Sequence, residues 1–124
     1  MVEEEMMQHY HRVEDIPVHA VPHGRLRLLS GPNLMAFWAE WDANTHVDRH
    51  AHPNEQITWL IAGRMDFKIG DEPVRSCGSG SVVVVPADVP HEVWYREPCT
   101  IFEMFNPPRA DLFPAIDRNP YGIA

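Results

Sequence analysis

Short apolar runs, each cut off by a turn signal, constrain this chain more than any other feature of its sequence. Residues 26–29 give way to Gly31, Pro32 and Asn33, and residues 34–41 to the polar stretch 42–44. The rhythm continues through 57–62, 65–69, 82–85, 93–95 and 100–105. Runs this short and this rich in β-branched and aromatic residues predict strands, and their close spacing predicts an all-β sandwich or barrel. No apolar period of helical type interrupts them. Twelve prolines among 124 residues agree, because proline is expelled from helix and central-strand interiors and collects at turns and strand ends. Residues 107–124 hold four of these prolines and are expected to pack irregularly over the barrel, with a short helical turn at 111–116. Residues 1–12, acidic at Glu3, Glu4 and Glu5, show no sustained period. They read as a frayed arm or as a strand that forms only against a partner chain. The expected layout is one domain: an arm or first strand over 1–25, a barrel over 26–113 and a tail over 114–124.

A chain of this length with 44% apolar residues closes a single core around a modest pocket. Eighteen acidic against ten basic residues give a net charge of −8, which repels phosphate backbones and anionic membrane surfaces. Nucleic acid and membrane are therefore not expected as partners. The most apolar stretch, around 81–85, is too short to cross a bilayer, and the acidic beginning lacks the basic-then-apolar pattern of a secretory signal. The expectation is a soluble, cytoplasmic protein in which Cys77 and Cys99, neither a CxxC pair nor a dense framework, are free thiols.

The chemistry concentrates at His50, His52 and Gln56, with Gly63 following. In an extended strand alternate side chains face one way, so His50 and His52 would project together. Gln56 shares their parity if the chain stays extended past Pro53, and Glu55 would face away. A further ligand must come from elsewhere. His91 is the best placed, since residues 80–90 read as a turn, a buried strand of four valines and a second tight turn. Three imidazoles suit Zn, Ni, Fe, Mn, Co or Cu better than Mg or Ca, so one divalent transition metal ion is the expected cofactor. An amide oxygen in place of a carboxylate leaves the ion's full charge in place, which favours an anionic ligand. An isolated H-x-H carries little weight: His9, Tyr10 and His11 repeat the spacing without the Gln and Gly that follow.

These two stretches resemble the two signature motifs of the cupin superfamily. The first reads G-x5-H-x-H-x(3,4)-E-x6-G, with Asn44 standing at its first glycine and Gln56 at its glutamate. The second reads G-x5-P-x-G-x2-H-x3-N, with Gly80, Pro86 and His91 matching and Asp88 and Tyr95 replacing the glycine and asparagine. The resemblance implies a cupin double-stranded β-helix, a jelly-roll barrel, with His50, His52, Gln56 and His91 as metal ligands. The run Glu103, Met104, Phe105, Asn106, Pro107, Pro108, Arg109 is similar to the D-x-F-x-P-x-R ending of KdgF-like cupins, which open 4,5-unsaturated uronates to linear keto sugars. Carried over by position, Glu103 stands for the catalytic aspartate, Phe105 for a pocket phenylalanine and Arg109 for the arginine that engages the substrate carboxylate. Glutamate is one methylene longer, so the proton-transfer distance or the substrate size must differ.

Without the family, a carboxylate at Glu103 on an apolar strand needs a partner or a polar cavity. A structural ion pair with Arg64, Arg96 or Arg109 is the alternative to catalysis. Phe105, Trp38, Trp41, Trp59 and Trp94 read equally as core or dimer surface, and Arg109 as a tie for the tail. The functional expectation is a metal-dependent lyase or isomerase acting on a small anionic, carbonyl-bearing or unsaturated uronate-like substrate. A cupin dioxygenase and a non-catalytic metabolite-binding cupin are the alternatives. The tryptophans and methionines, and the habit of similar cupins, imply a homodimer paired through the outer sheet.

Overall fold

The computed structural model describes residues 9–112. Its strands are β1 (His19–Val21), β2 (Gly24–Ser30), β3 (Met35–Trp41), β4 (Thr45–His50), β5 (Glu55–Ala62), β6 (Arg64–Ile69), β7 (Arg75–Gly78), β8 (Val82–Val85), β9 (His91–Tyr95) and β10 (Cys99–Asn106). All pairings are antiparallel. One sheet runs β1-β2-β3-β10-β5-β8, the other β4-β9-β6-β7. The all-β expectation and the jelly-roll architecture hold. The expected apolar runs became β2, β3, β5, β6, β8, β9 and β10, while β1 and β7, short and mixed in polarity, carried no such signal.

Strand alternation decides what faces inward. β10 buries Cys99, Ile101, Glu103 and Phe105, and β3 buries Met35, Phe37 and Ala39, with the residues between them only half-buried. These side chains meet Met65, Phe67, Val93 and Tyr95 from the second sheet in one core. Burying such side chains is worth roughly 1.5–3 kcal/mol each. The core therefore holds the two sheets face to face and leaves the polar residues on their inner faces enclosed with it.

The turns explain where the motif positions fall. Gly63 alone joins β5 to β6 at φ 109°, and an added Cβ would lie 2.6 Å from the Pro98 carbonyl oxygen, so only glycine fits. Asn44 and Asp88, which replace motif glycines, adopt φ of 62° and 65°. Asn and Asp are the residues that tolerate this left-handed region best after glycine, so the substitutions keep the turns.

One expectation changes. His50, His52 and Gln56 do not share a continuous strand: β4 ends at His50, the chain bends at Pro53 and Asn54, and β5 begins at Glu55 in the opposite sheet. β4 stops at His50, and Pro53, which has no N–H to give to a ladder, keeps the link unpaired before β5. The chain crosses between sheets instead of running on. The expected helical turn is a single 3₁₀ turn at 110–112 as far as the described residues extend, with a second at Val13–Asp15. The remainder of that turn, the first residues of the arm and the tail lie outside the described residues. Cys77 and Cys99 are free thiols. Among the described residues no helix is long and apolar enough to cross a membrane.

Candidate metal centre

His50 closes β4 and His91 opens β9, and the two are cross-strand partners beyond a register shift in that pair. Their rings stand 4.2 Å apart, centroid to centroid. His52 comes from the crossing segment and meets His91 edge-on at 4.9 Å. One ligand atom from each of the three lies within 4.8 Å of the others, a spacing that suits a single ion.

Each ring has a backbone carbonyl at its Nδ1: Asp48 for His50 at 2.8 Å, Asn54 for His52 at 3.0 Å and Val89 for His91 at 2.9 Å. A carbonyl accepts only, so Nδ1 carries the proton and Nε2 presents a lone pair. This arrangement orients imidazoles in metal sites. Burial pushes the acidity of the ring proton the same way. His91 is driven down to about 4 and His52 is lowered, desolvation being the largest cause in both, so both rings stay neutral at physiological pH.

Gln56 completes the cluster from β5. Its amide nitrogen donates to Thr58 Oγ1 and Glu103 Oε2, both at 2.9 Å, which turns its carbonyl oxygen to His52 Nε2 at 3.1 Å. Two acceptors then face one another with no proton between them. The Nε2 of His91 is also buried without a hydrogen-bond partner. Lone pairs left in this way are costly unless a cation takes them up, so the residues present fit a divalent transition ion.

Glu103, from β10, lies beside this group. The Thr58 hydroxyl donates to Oε2, and the carboxyl is pushed up to about 7, mainly by burial, against the opposing pull of Thr58 and of the Arg109 charge. Neither Arg64, bonded to Ser76, nor Arg96, paired with Asp66, reaches it. The ion pair weighed as the alternative to catalysis is thus formed by neither of these two arginines; Thr58 and Gln56 hydrogen-bond the carboxyl, and Arg109 acts on it as a nearby charge. Thr58 escaped the sequence reading, although it has the same strand parity as Gln56. Phe105 is fully buried between Phe37 and His52. Arg109 lies over the Phe105 ring at 5.2 Å and gives Nε and Nη2 to Asp111. A partner two residues away was not anticipated.

His50, Gln56, Glu103 and Arg109 all open onto a cavity of about 560 Å³ that continues to Trp41 and the β1–β2 hairpin. His46 also borders it, stacked on Trp94 and 2.6 Å from Glu92.

Residues 37–105 match the family model described as the cupin domain. The chain belongs to the cupin family. No curated protein matches it. Among solved structures this cupin is similar to an RmlC-like cupin from Shewanella frigidimarina, at 20% identity and a TM-score of 0.79, covering 85% of this chain and 96% of that one. It is similar to KdgF from Halomonas at 22% identity and a TM-score of 0.78, covering 86% and 99%. It also resembles Bacillus subtilis oxalate decarboxylase, a protein with Mn(II) centres, at 17% identity and 0.70, covering 83% of this chain and 32% of that one. At these identities the likeness shows the fold.

Two outcomes follow for this centre. Replacing His52 and His91 together by alanine should lower bound transition metal, measured by elemental analysis of purified protein, from about one ion per chain to near none. Unchanged uptake would place the ion elsewhere. The second concerns Glu103. Its folded pKa is above the ordinary 4.5, so the stability it contributes is fully present below about 4.5 and is lost as pH rises through about 7. In metal-free protein Glu103→Gln should therefore be more stable than the parent at pH 8 by up to about 3 kcal/mol, and equal to it near pH 4. Urea denaturation at the two pH values measures this, and a variant no more stable at pH 8 contradicts it.

Proposed function

We propose that this cupin is a metal-dependent lyase or isomerase for a small carboxylate that also bears a carbonyl or unsaturated, uronate-like group. The observation that carries this reading is a buried acid poised near neutrality, Glu103, joined through Gln56 to a cluster of three imidazoles. A general acid or base works best when its pKa lies near the operating pH.

His50, His52, His91 and the Gln56 oxygen hold the metal, which when bound supplies an electrophilic anchor for a substrate oxygen. Glu103 holds or takes the proton at its free Oε1, because Oε2 is occupied by Thr58 and Gln56. Thr58 and Gln56 thereby set which face of the carboxyl meets the substrate. Arg109 stands at the rim with Nη1 left over from its Asp111 pair, and its charge favours a carboxylate there. Phe105 keeps water from the inner side of the cluster. The similarity to KdgF, and the decarboxylation named for the oxalate enzyme, support acid substrates as the class.

We also propose that a second copy of the chain covers the outer face of the six-stranded sheet. Trp59, Ile61, Val82 and Val84 adjoin there, each 44–54% exposed, with Trp59 and Val82 directly paired. An apolar patch on an edge strand, with open backbone groups along β8, is a surface proteins ordinarily cover. Matching patches close it by two-fold symmetry.

With metal retained, Glu103→Gln is expected to lower turnover of keto acids or unsaturated uronates about a hundredfold, the scale of losing acid–base help. Steady-state kinetics with parallel metal analysis tests it, and undiminished turnover removes Glu103 from the mechanism. Analytical ultracentrifugation should find the parent protein as a dimer and Trp59→Glu as a monomer. A monomeric parent rules the interface out.

A further inference from the structure

The strand registers place inward-facing side chains of the larger sheet in rows. Gln56, Phe105 and Met35 form the row at the metal end, followed by Thr58, Glu103, Phe37 and Leu28. Next come Leu60, Ile101, Ala39 and Leu26, and then Cys99, Trp41 and Gly24. Polar groups that could meet a ligand stop at the Glu103 row. The cavity does not stop there: it runs on past Phe37 and Leu26 to Trp41, with Val21 and Leu112 at its sides.

One close approach shapes this far half. Gly24 lets the Trp41 ring lie flat on β2, where an added Cβ would be 2.4 Å from it, while Tyr95 stacks on the ring from the opposite sheet at 5.7 Å and 12°. The indole Nε1 is buried and has no hydrogen-bond partner. The polar residues nearby bond within the protein: Thr45 donates to the Asp42 carbonyl at 2.7 Å, and His46 pairs with Glu92 and Asp48. Burial holds the Tyr95 phenol in its protonated form, and the Glu103 charge adds to this. His23 stands exposed at the rim.

A ligand anchored at the histidines and extending along this trench thus meets hydrogen-bonding groups at its head and hydrocarbon walls at its tail. A hydroxyl placed against Phe37, Leu26 and Val21 loses water and meets hydrocarbon, which costs about tenfold in affinity or more per group. A methylene or ring carbon there gains from burial. We propose that the site takes a carboxylate with an apolar, ring-sized tail, aryl or branched alkyl, over polyhydroxylated acids of equal length, with Trp41 as the specificity-determining residue; within the proposed substrate class this selects carbonyl-bearing acids over the hydroxyl-rich uronates. This rests on the reading of the three histidines as the metal anchor for the head group.

The experiment is calorimetric titration of the zinc-loaded full chain with phenylpyruvate, with 2-oxogluconate as the hydroxylated counterpart and with pyruvate as the bare head group. Phenylpyruvate should bind at least tenfold tighter than 2-oxogluconate. Trp41→Ala should bring the two within about threefold while leaving pyruvate unchanged, with Trp41→Leu as the substitute if the alanine variant does not fold. Equal or tighter binding of 2-oxogluconate by the parent protein overturns the proposal without any variant, and a preference that survives both substitutions overturns the role of Trp41. Failure of all three acids to bind overturns this proposal and the proposed function together. The expected preference without turnover of any acid leaves this proposal standing and removes only the catalytic reading.

Discussion

The contact between the Gln56 carbonyl oxygen and His52 Nε2, two acceptors 3.1 Å apart, is the constraint from which the rest of the site follows. Neither group can turn away. His52 is held at Nδ1 by the Asn54 carbonyl, and the Gln56 amide is held by Thr58 and Glu103. Flipping the amide would aim its oxygen at Glu103, an arrangement open only to the protonated carboxyl. Protonating His52 would relieve the contact, but burial works against the imidazolium. A cation bound between the lone pairs resolves all of these demands at once.

The same amide couples two chemistries that burial alone would drive apart. Desolvation favours neutral imidazoles and a protonated carboxyl, and both are seen: His91 falls to about 4 and Glu103 rises to about 7. A ligand set needs the first shift and a proton donor needs the second, so one low-dielectric barrel interior serves both. Thr58, by donating to the ionised form, and the Arg109 charge restrain the rise at Glu103. The carboxyl is thereby kept titratable near neutrality and is not locked in its acid form.

Much of this was legible before any coordinates. The spacing of turns and β-rich runs carried the fold, because strand termination by Gly, Pro, Asn and Asp is a local matter. The histidines could be grouped because two motifs in order restrict them to one neighbourhood. The parity argument for Gln56 reached the right cluster by the wrong path. Strand periodicity holds only while a strand lasts, and β4 ends at His50, so convergence arises from two facing sheets. Thr58 was invisible for a different reason: which hydroxyl meets a given carboxylate depends on cross-strand register, set by contacts far apart in sequence. The Trp41 and Tyr95 stack was hidden likewise, since its members lie in different sheets.

The division between core and crossing segment also explains how a rigid barrel can hold a precise site on irregular chain. His50, Gln56, His91 and Glu103 sit on strands, so packing positions them. His52 alone lies off the ladders, and its freedom is removed by Asn54, which is buried, offers its carbonyl to the imidazole and donates its side-chain amide to the Pro107 carbonyl at 2.6 Å. Pro107 follows β10 directly, next to Asn106 and two residues before Arg109. One asparagine therefore ties the histidine on the loop to the strand end that carries Glu103, Phe105 and the arginine. Substituting Asn54 would cut the tie to Pro107 but leave His52 held by the backbone carbonyl at its Nδ1 and by the Asp88 N–H on its own carbonyl. The anchoring of the loop to the strand end is thus separable from the orientation of the ring.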